Sequence, residues 1–290
     1  MILCAGELMW DIHVEPGSSL ETGDRLVRVP GGAAANVAME LARKGRAGGV
    51  AGVVSADALG HGLCESLENR GVDASRVSRV PGRTGLVFLE RTQASSERFV
   101  SYRPTVGPFE GGISLASVRV LHIAALNPIT AELQAFATLA AEARGLGAWV
   151  LVDANARPLP WRDPLDAAGR MALAELARLA HAVKVSDGDL ERIGASVADP
   201  LDLFAASGTT TFLTRGGEAT LVQGAWGSFE RAPPAVELVR SIGAGDAFCA
   251  GILANLHDHP TTATSRGAAF WSTVLDAGHA SAATRVSTAW

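Results

Sequence analysis

Much of what would assign this sequence to a specialised class is missing from it. No Pro-rich, Ser-rich or single-charge stretch divides the chain, and no internal repeat is visible, so residues 1–290 read as one domain with small excursions. Cysteine is scarce: Cys4, Cys64 and Cys249 are odd in number and lack metal-ligand spacing, which excludes a disulfide framework and leaves three reduced, buried thiols. Charge bias is weak as well. The formal net charge is −5 with both signs interspersed, which gives no electrostatic footprint for nucleic acid or an anionic membrane. The opening MILCAGELMWDI has no basic leader, and Glu7 and Asp11 interrupt its apolar run, so it reads neither as a signal peptide nor as a membrane span; a cytoplasmic location is expected. His61, His122 and His279 are scattered without ligand spacing and read as structural. What the chain does have is apolar residues, 48% of the total, enough for a substantial core.

Those residues fall into two alternating patterns. Short apolar runs at Met1–Leu3, Gly49–Val54, Val118–Ala124, Ala148–Val152, Ala182–Val185 and Thr211–Leu213 are too apolar for strands with one wet face. Helical patterns lie between them at Ala34–Lys44, Gly60–Arg70, Ala131–Arg144, Gly169–Leu179 and Ala244–Leu256. Such alternation predicts an α/β fold, a mainly parallel sheet with helices on both faces. Two regions break the rhythm. Arg25–Val29, and the pair Gly85–Arg91 and Arg98–Tyr102, alternate apolar and polar residues as half-exposed antiparallel strands do, and predict a small β lid drawn from about residues 12–30 and 83–105.

Chemistry is sought at the carboxyl ends of the strands and at helix starts. In Arg240-Ser-Ile-Gly-Ala-Gly-Asp-Ala-Phe248, two glycines and an aspartate precede an apolar helix. Glycine lets the backbone approach a ligand closely, and the first-turn N–H groups with the helix dipole favour an anion. A carboxylate there can take the proton of an attacking hydroxyl, or it can simply cap the helix. A second segment, Pro30-Gly-Gly-Ala-Ala-Ala-Asn36, enters another helix through a double glycine.

Together, Gly31-Gly32 with Asn36 and Gly243–Asp246 resemble the two signature motifs of the ribokinase-like PfkB sugar kinases, in the family's order and at about its separation. The resemblance implies an ATP-dependent carbohydrate kinase with Mg²⁺, in which Asp246 is the base and Gly243, Ala244 and Gly245 form the anion hole. It places Gly31, Gly32, Asn36 and Asp11 in the sugar site, with Asp11 at the end of the first strand. Asp153-Ala-Asn-Ala-Arg157 resembles a stretch of fructokinase-like and 2-keto-3-deoxygluconate-kinase-like members, which adds Asp153, Asn155 and Arg157. Arg103, at the end of a lid strand, could hold a substrate carboxylate together with Arg157. Lys184, Ser186, Thr214, Gly216, Gly243 and Gly245 fall at nucleotide-side positions, and Asp189 stands where the family organises Mg²⁺, through water or as a helix cap.

Three departures accompany the match. Ala219 replaces a usual glycine, residues Arg266–Trp290 lack a recognisable closing segment, and Arg240 replaces an aspartate that in many relatives helps bind potassium. A guanidinium cannot ligate potassium, so no potassium requirement is expected; Arg240 either substitutes for the ion or points to solvent. Fructose-like and sugar-acid acceptors stay open, as do a weakly catalytic binding relative and a nucleoside kinase. A nicotinamide enzyme is disfavoured because no Gly-x-Gly-x-x-Gly follows the first strand. A homodimer through the lid is expected, since it would cover the lid's strand edges.

Overall fold

The structure is a computed structural model that describes residues 1–290 apart from 15–17, 23–24, 92–96, 103–105, 107, 125–129, 157–165, 195–203, 205–208, 260–261, 263–265 and 289–290. Among the described residues, nine strands form the main sheet. β1 (Ile2–Gly6), β4 (Gly48–Ser55), β5 (Val72–Val80), β8 (Val120–Ala124), β9 (Trp149–Asp153), β10 (Ala182–Ser186) and β11 (Thr210–Thr214) pair in parallel, and β12 (Thr220–Gly224) and β13 (Gly227–Arg231) add an antiparallel edge. The spatial order is β13-β12-β11-β10-β9-β8-β1-β4-β5.

The near-continuous apolar strands reflect burial on both faces. In β1, Ile2 and Cys4 join one core cluster while Leu3 and Ala5 join the other; in β9, Trp149 and Leu151 face one way and Val150 and Val152 the opposite way. The first cluster lies under α1 (Ala33–Arg43), α2 (Ala58–Glu68), α6 (Ala244–Asp258) and α7 (Ala268–Val286); the second lies under α3 (Thr130–Gly145), α4 (Ala167–Arg178) and α5 (Asp187–Ile193). The expected α/β architecture is therefore the one observed. Sequence periodicity missed β5, β12, β13 and α7. β5 does alternate, with Val72, Ala74 and Val77 buried between exposed Asp73, Ser75 and Ser78, as befits an edge strand.

A second sheet has the order β3-β2-β6-β7, built from β2 (Met9–Val14), β3 (Leu26–Gly31), β6 (Gly85–Arg91) and β7 (Glu97–Tyr102). It is anchored through Trp10, whose indole N–H donates to the Leu59 carbonyl at 2.8 Å and whose ring carries the Arg28 guanidinium at 4.1 Å. One expectation is corrected here. Asp11 does not end the first strand: β1 stops at Gly6, and Asp11 sits mid-strand in β2, opposite Val29 of β3 and Val87 of β6. The MILCAGELMWDI run is two strands in two sheets, and Glu7 and Leu8 between them make the turn. The order in which strands are added reverses between the parallel neighbours β1 and β8, the position where open α/β sheets leave a crevice at their carboxyl ends.

Candidate active site

A cleft opens between the second sheet, α1, the start of α6 and the end of α7. Asp11, His13, Val29 and Pro30 line one wall, Asn36, Met39, Glu40 and Arg43 another, and Ile242, Gly243, Asp246, Arg70 and Arg285 close it. The two motifs separated by about two hundred residues in sequence meet here: the Asn36 side-chain amide donates to Asp246 Oδ2 at 3.0 Å.

Each glycine of the first motif has a distinct steric reason. A Cβ on Gly31 would fall 2.2 Å from Asp11 Cγ, so the Asp11 carboxylate rests on the bare α-carbon. Gly32 has φ 90°, and its Cβ would lie 2.3 Å from the Glu7 carbonyl oxygen. Replacing either would displace Asp11 or the turn that carries it. Asp11 is half-buried, and burial first, then the Asp246 charge, pushes its carboxyl up to about 7. Asp11 and Asp246 thus converge on one cavity, which Glu40 also lines.

In the second motif Gly243 is left-handed, φ 81°, immediately before α6. The helix ladder starts with the Ala247 N–H donating to the Gly243 carbonyl at 2.9 Å, so the amides of Gly245 and Asp246 precede it. The Ala244 amide instead donates to the Ser241 carbonyl at 3.2 Å, which gives it a turn role in place of the anion-hole role expected for it.

Beneath the α6 start lies a second, buried group of charges. Lys184 of β10 pairs with Asp153 Oδ1 at 3.1 Å and lies 3.8 Å from Asp189 Oδ2. Burial opposes the lysine charge, but Asp153 and Asp189 outweigh it and raise Lys184 above its ordinary range. Its ammonium would lie 3.4 Å from a Cβ on Gly245, directly behind the first turn of α6. The Cys249 thiol donates to Asp153 Oδ2 at 3.6 Å, and burial, then Asp153, holds the thiol protonated. His122 is fully buried and its pKa is lowered to about 3, chiefly by burial.

Asp189 belongs to this group. Its Oδ2 accepts from the Ser186 amide at 2.8 Å and hydroxyl at 2.7 Å, while its own amide donates to Ser186 Oγ at 3.1 Å, a complete capping box at the start of α5. Asn155, at the end of β9, is buried with φ 34°, and its amide donates to Asp153 Oδ1 at 3.2 Å. Asparagine tolerates that conformation better than most residues, and such outliers concentrate at functional turns. Thr214 donates to the Val185 carbonyl at 3.4 Å, and Gly216, φ 59°, forms the turn after β11. Arg103 and Arg157 lie outside the described residues.

Of the two courses expected for Arg240, the solvent-facing one is not observed. The residue is 5% exposed, so it does not point to solvent, and its Nε donates to the Arg285 carbonyl at 3.0 Å at the end of α7. A buried guanidinium on the last carbonyls of a helix satisfies acceptors that have no partner in the helix itself. The cation beside Gly243 is Arg285, from the C-terminal region in which no motif was found. Its sequence signal was a basic residue in the last turn of an apolar helix, too common to be read as a site.

The pfkB family carbohydrate kinase model matches residues 1–289. The chain belongs to that family. Membership carries its class of reaction, ATP-dependent phosphorylation of a sugar. The chain is 33% identical over 246 residues to a fructokinase of Klebsiella pneumoniae, with 81% of this chain and 79% of that protein covered. Among solved structures it resembles a fructokinase with bound ATP from Xylella fastidiosa, with a TM-score of 0.83, 22% identity, and 99% and 92% of the two chains covered. It also resembles the aminoimidazole riboside kinase of Salmonella enterica, with a TM-score of 0.74, 23% identity, and coverage of 99% and 93%. The likeness to these two structures concerns the fold. Among the described residues, no helix is long and apolar enough to cross a membrane.

Proposed function

We propose that this kinase transfers the γ-phosphoryl group of ATP to a hydroxyl of a fructose-like ketohexose, with Asp246 as general base. The observation that carries the reading is the Asn36–Asp246 hydrogen bond inside a cleft shared with Asp11. Asn36 holds Oδ2 and so orients the carboxylate that would accept the proton of the attacking hydroxyl. The Gly245 and Asp246 amides at the helix start offer hydrogen bonds to the transferring group, and Lys184 behind them adds positive charge without entering the cleft. Asp11, with Gly31 and Gly32 shaping its seat, orients the sugar hydroxyls. Asn155, Ser186, Thr214 and Gly216 border the strand ends where ATP would lie, while Asp153 acts by fixing Lys184.

Asp189 does not fit a direct Mg²⁺ ligand, because its Oδ2 is taken by the capping box and faces an ammonium. The cation would arrive on the ATP phosphates and supply charge neutralisation there. Potassium is not required in this reading. The fructose preference follows the names of the relatives; a sugar acid is the second reading, favoured by Arg43, Arg70 and Arg285 in the cleft lining. Leu26 and Val27, each 48% exposed, and Tyr102, 61% exposed, lie on the lid's two edge strands and support a lid-to-lid homodimer, which sedimentation at micromolar concentration tests. The deciding experiment measures ATP turnover against fructose, ribose, 2-keto-3-deoxygluconate and nucleosides. Fructose is expected to give the highest kcat/KM, and turnover of none of them would reject the reading.

A further inference from the structure

We propose that Arg285 clamps the phosphoryl group in transit, through a guanidinium delivered from the last helix that neither signature motif contains. The inference rests on the kinase reading above and adds a residue to it. Arg285 stands in the last turn of α7, and its side chain lines the cleft shared by Asp11, Asn36 and Asp246. A Cβ on Gly243 would meet its Nε at 2.9 Å and Nη2 at 3.2 Å, so the guanidinium lies over the left-handed residue that opens α6. The missing side chain at 243 serves both the backbone turn and the seat of the guanidinium.

Two independent sources of positive potential therefore converge on one point, the N-terminus of a 15-residue helix and a charged fork. Arg285 lines the same cleft as Asp246 and His13, beside Glu40 and Arg43, so the guanidinium, the base and the lid strand surround one space where an acceptor and the γ-phosphoryl group would meet. The residue is also held in register. The Val239 and Arg240 amides donate to the Val286 carbonyl at 2.8 and 3.1 Å, and Arg240 Nε holds the Arg285 carbonyl. Further along, α6 and α7 touch through bare backbone, since a Cβ on Gly251 would fall 2.2 Å from the Ala277 carbonyl oxygen. Arg240 is thus a positioning residue for the Arg285 end of α7.

In the transfer, the acceptor oxygen forms its bond to the γ-phosphorus, its proton passes to Asp246, and the bond to the bridging oxygen breaks to release ADP. Arg285 changes no covalent bond; it donates N–H groups to non-bridging oxygens before and after transfer. A planar fork suits that task better than an ammonium.

The test uses the full chain, its Arg285→Gln, Arg285→Lys and Arg285→Ala variants, steady-state kinetics with the best sugar, and calorimetric binding of inorganic phosphate. Arg285→Gln is expected to lose about 100-fold in kcat with little change in sugar KM, as for removal of a donor to a developing oxyanion. Arg285→Lys should fall between, and guanidinium chloride at millimolar concentration should restore part of the Arg285→Ala activity. Parent-like kcat in Arg285→Gln, a loss carried by KM alone, or no rescue would overturn the clamp. If Arg285→Gln does not fold, Arg285→Lys decides by the same kcat criterion. If the parent phosphorylates none of the sugars, the kinase reading fails and phosphate binding decides alone: binding by the parent and not by Arg285→Lys or Arg285→Gln keeps the clamp, while equal binding or none in the parent rejects it.

Discussion

Two groups of charges lie on opposite sides of the α6 start, and they are built on opposite rules. In the cleft, Asp11 and Asp246 crowd like charges together, and Asp11 is pushed up to about 7. Below it, Lys184 is sealed in the core between Asp153 and Asp189, each carboxylate held against the one ammonium. The first group is unstable by construction and ready to exchange protons and bonds with a ligand; the second is satisfied and can only hold things still. Where a carboxylate is crowded and reachable it reads as chemistry, and where it is paired and sealed it reads as support.

The largest expected effect tests the active side. Asp246→Asn keeps the shape and the Asn36 contact within reach but cannot take a proton, so kcat should fall by about 10²–10⁴ with a melting temperature no lower than the parent's, since the repulsion on Asp11 is relieved. Rapid turnover by this variant would place the base elsewhere.

The supporting side should respond in stability. Lys184→Met leaves Asp153 and Asp189 buried without their cation and is expected to cost about 3–5 kcal/mol in urea unfolding, whereas adding Asp153→Asn should recover part of the loss. A neutral outcome for Lys184→Met would dissolve the contrast between the two groups.

Much of this was open to a reader of the sequence, and the limits are physical. Strands buried on both faces announce themselves as apolar runs, which is why β1, β4, β8, β9, β10 and β11 were found. β12 and β13 are short and partly exposed, and α7 mixes alanines with scattered polar residues, so none of the three carried a usable period. Gly31-Gly32 and Gly243–Asp246 could be read because close backbone approach demands glycine whatever surrounds it. The Lys184–Asp153 pair could not, since three-dimensional pairing leaves no spacing rule. Arg240 shows the same limit: its position left open whether the side chain stays inside or faces solvent, and only the fold shows it buried on the end of a helix 45 residues away.

A smaller effect sharpens the comparison through pH. Asp11 has a folded pKa near 7, above its unfolded value of 3.8, so it favours the unfolded state as pH rises through that window, fully above 7 and not at all below about 4. Asp11→Asn should therefore melt higher than the parent by roughly 3–8 °C at pH 8 and at the same temperature near pH 4, while sugar KM rises at least about tenfold. A stabilisation independent of pH would show that Asp11 does not feel Asp246.

The smallest expected effect is none. Replacing potassium by a large organic cation at constant ionic strength should leave turnover unchanged, and Arg240→Ala should lower the urea midpoint by the equivalent of about 1–3 kcal/mol for the carbonyl it leaves unsatisfied. Strong activation by potassium would contradict the reading.

The burial of Lys184 has a practical corollary. The chain contains two lysines, Lys44 and Lys184, and Lys184 is 5% exposed. Amine-directed reagents are left with exposed Lys44, beyond the C-terminal end of α1, and the α-amino group of Met1, which donates to the Ser117 carbonyl at 2.8 Å. Neither lines the cleft. A fluorophore or surface tether coupled through amines would attach outside the cleft lining, so amine coupling should leave turnover intact.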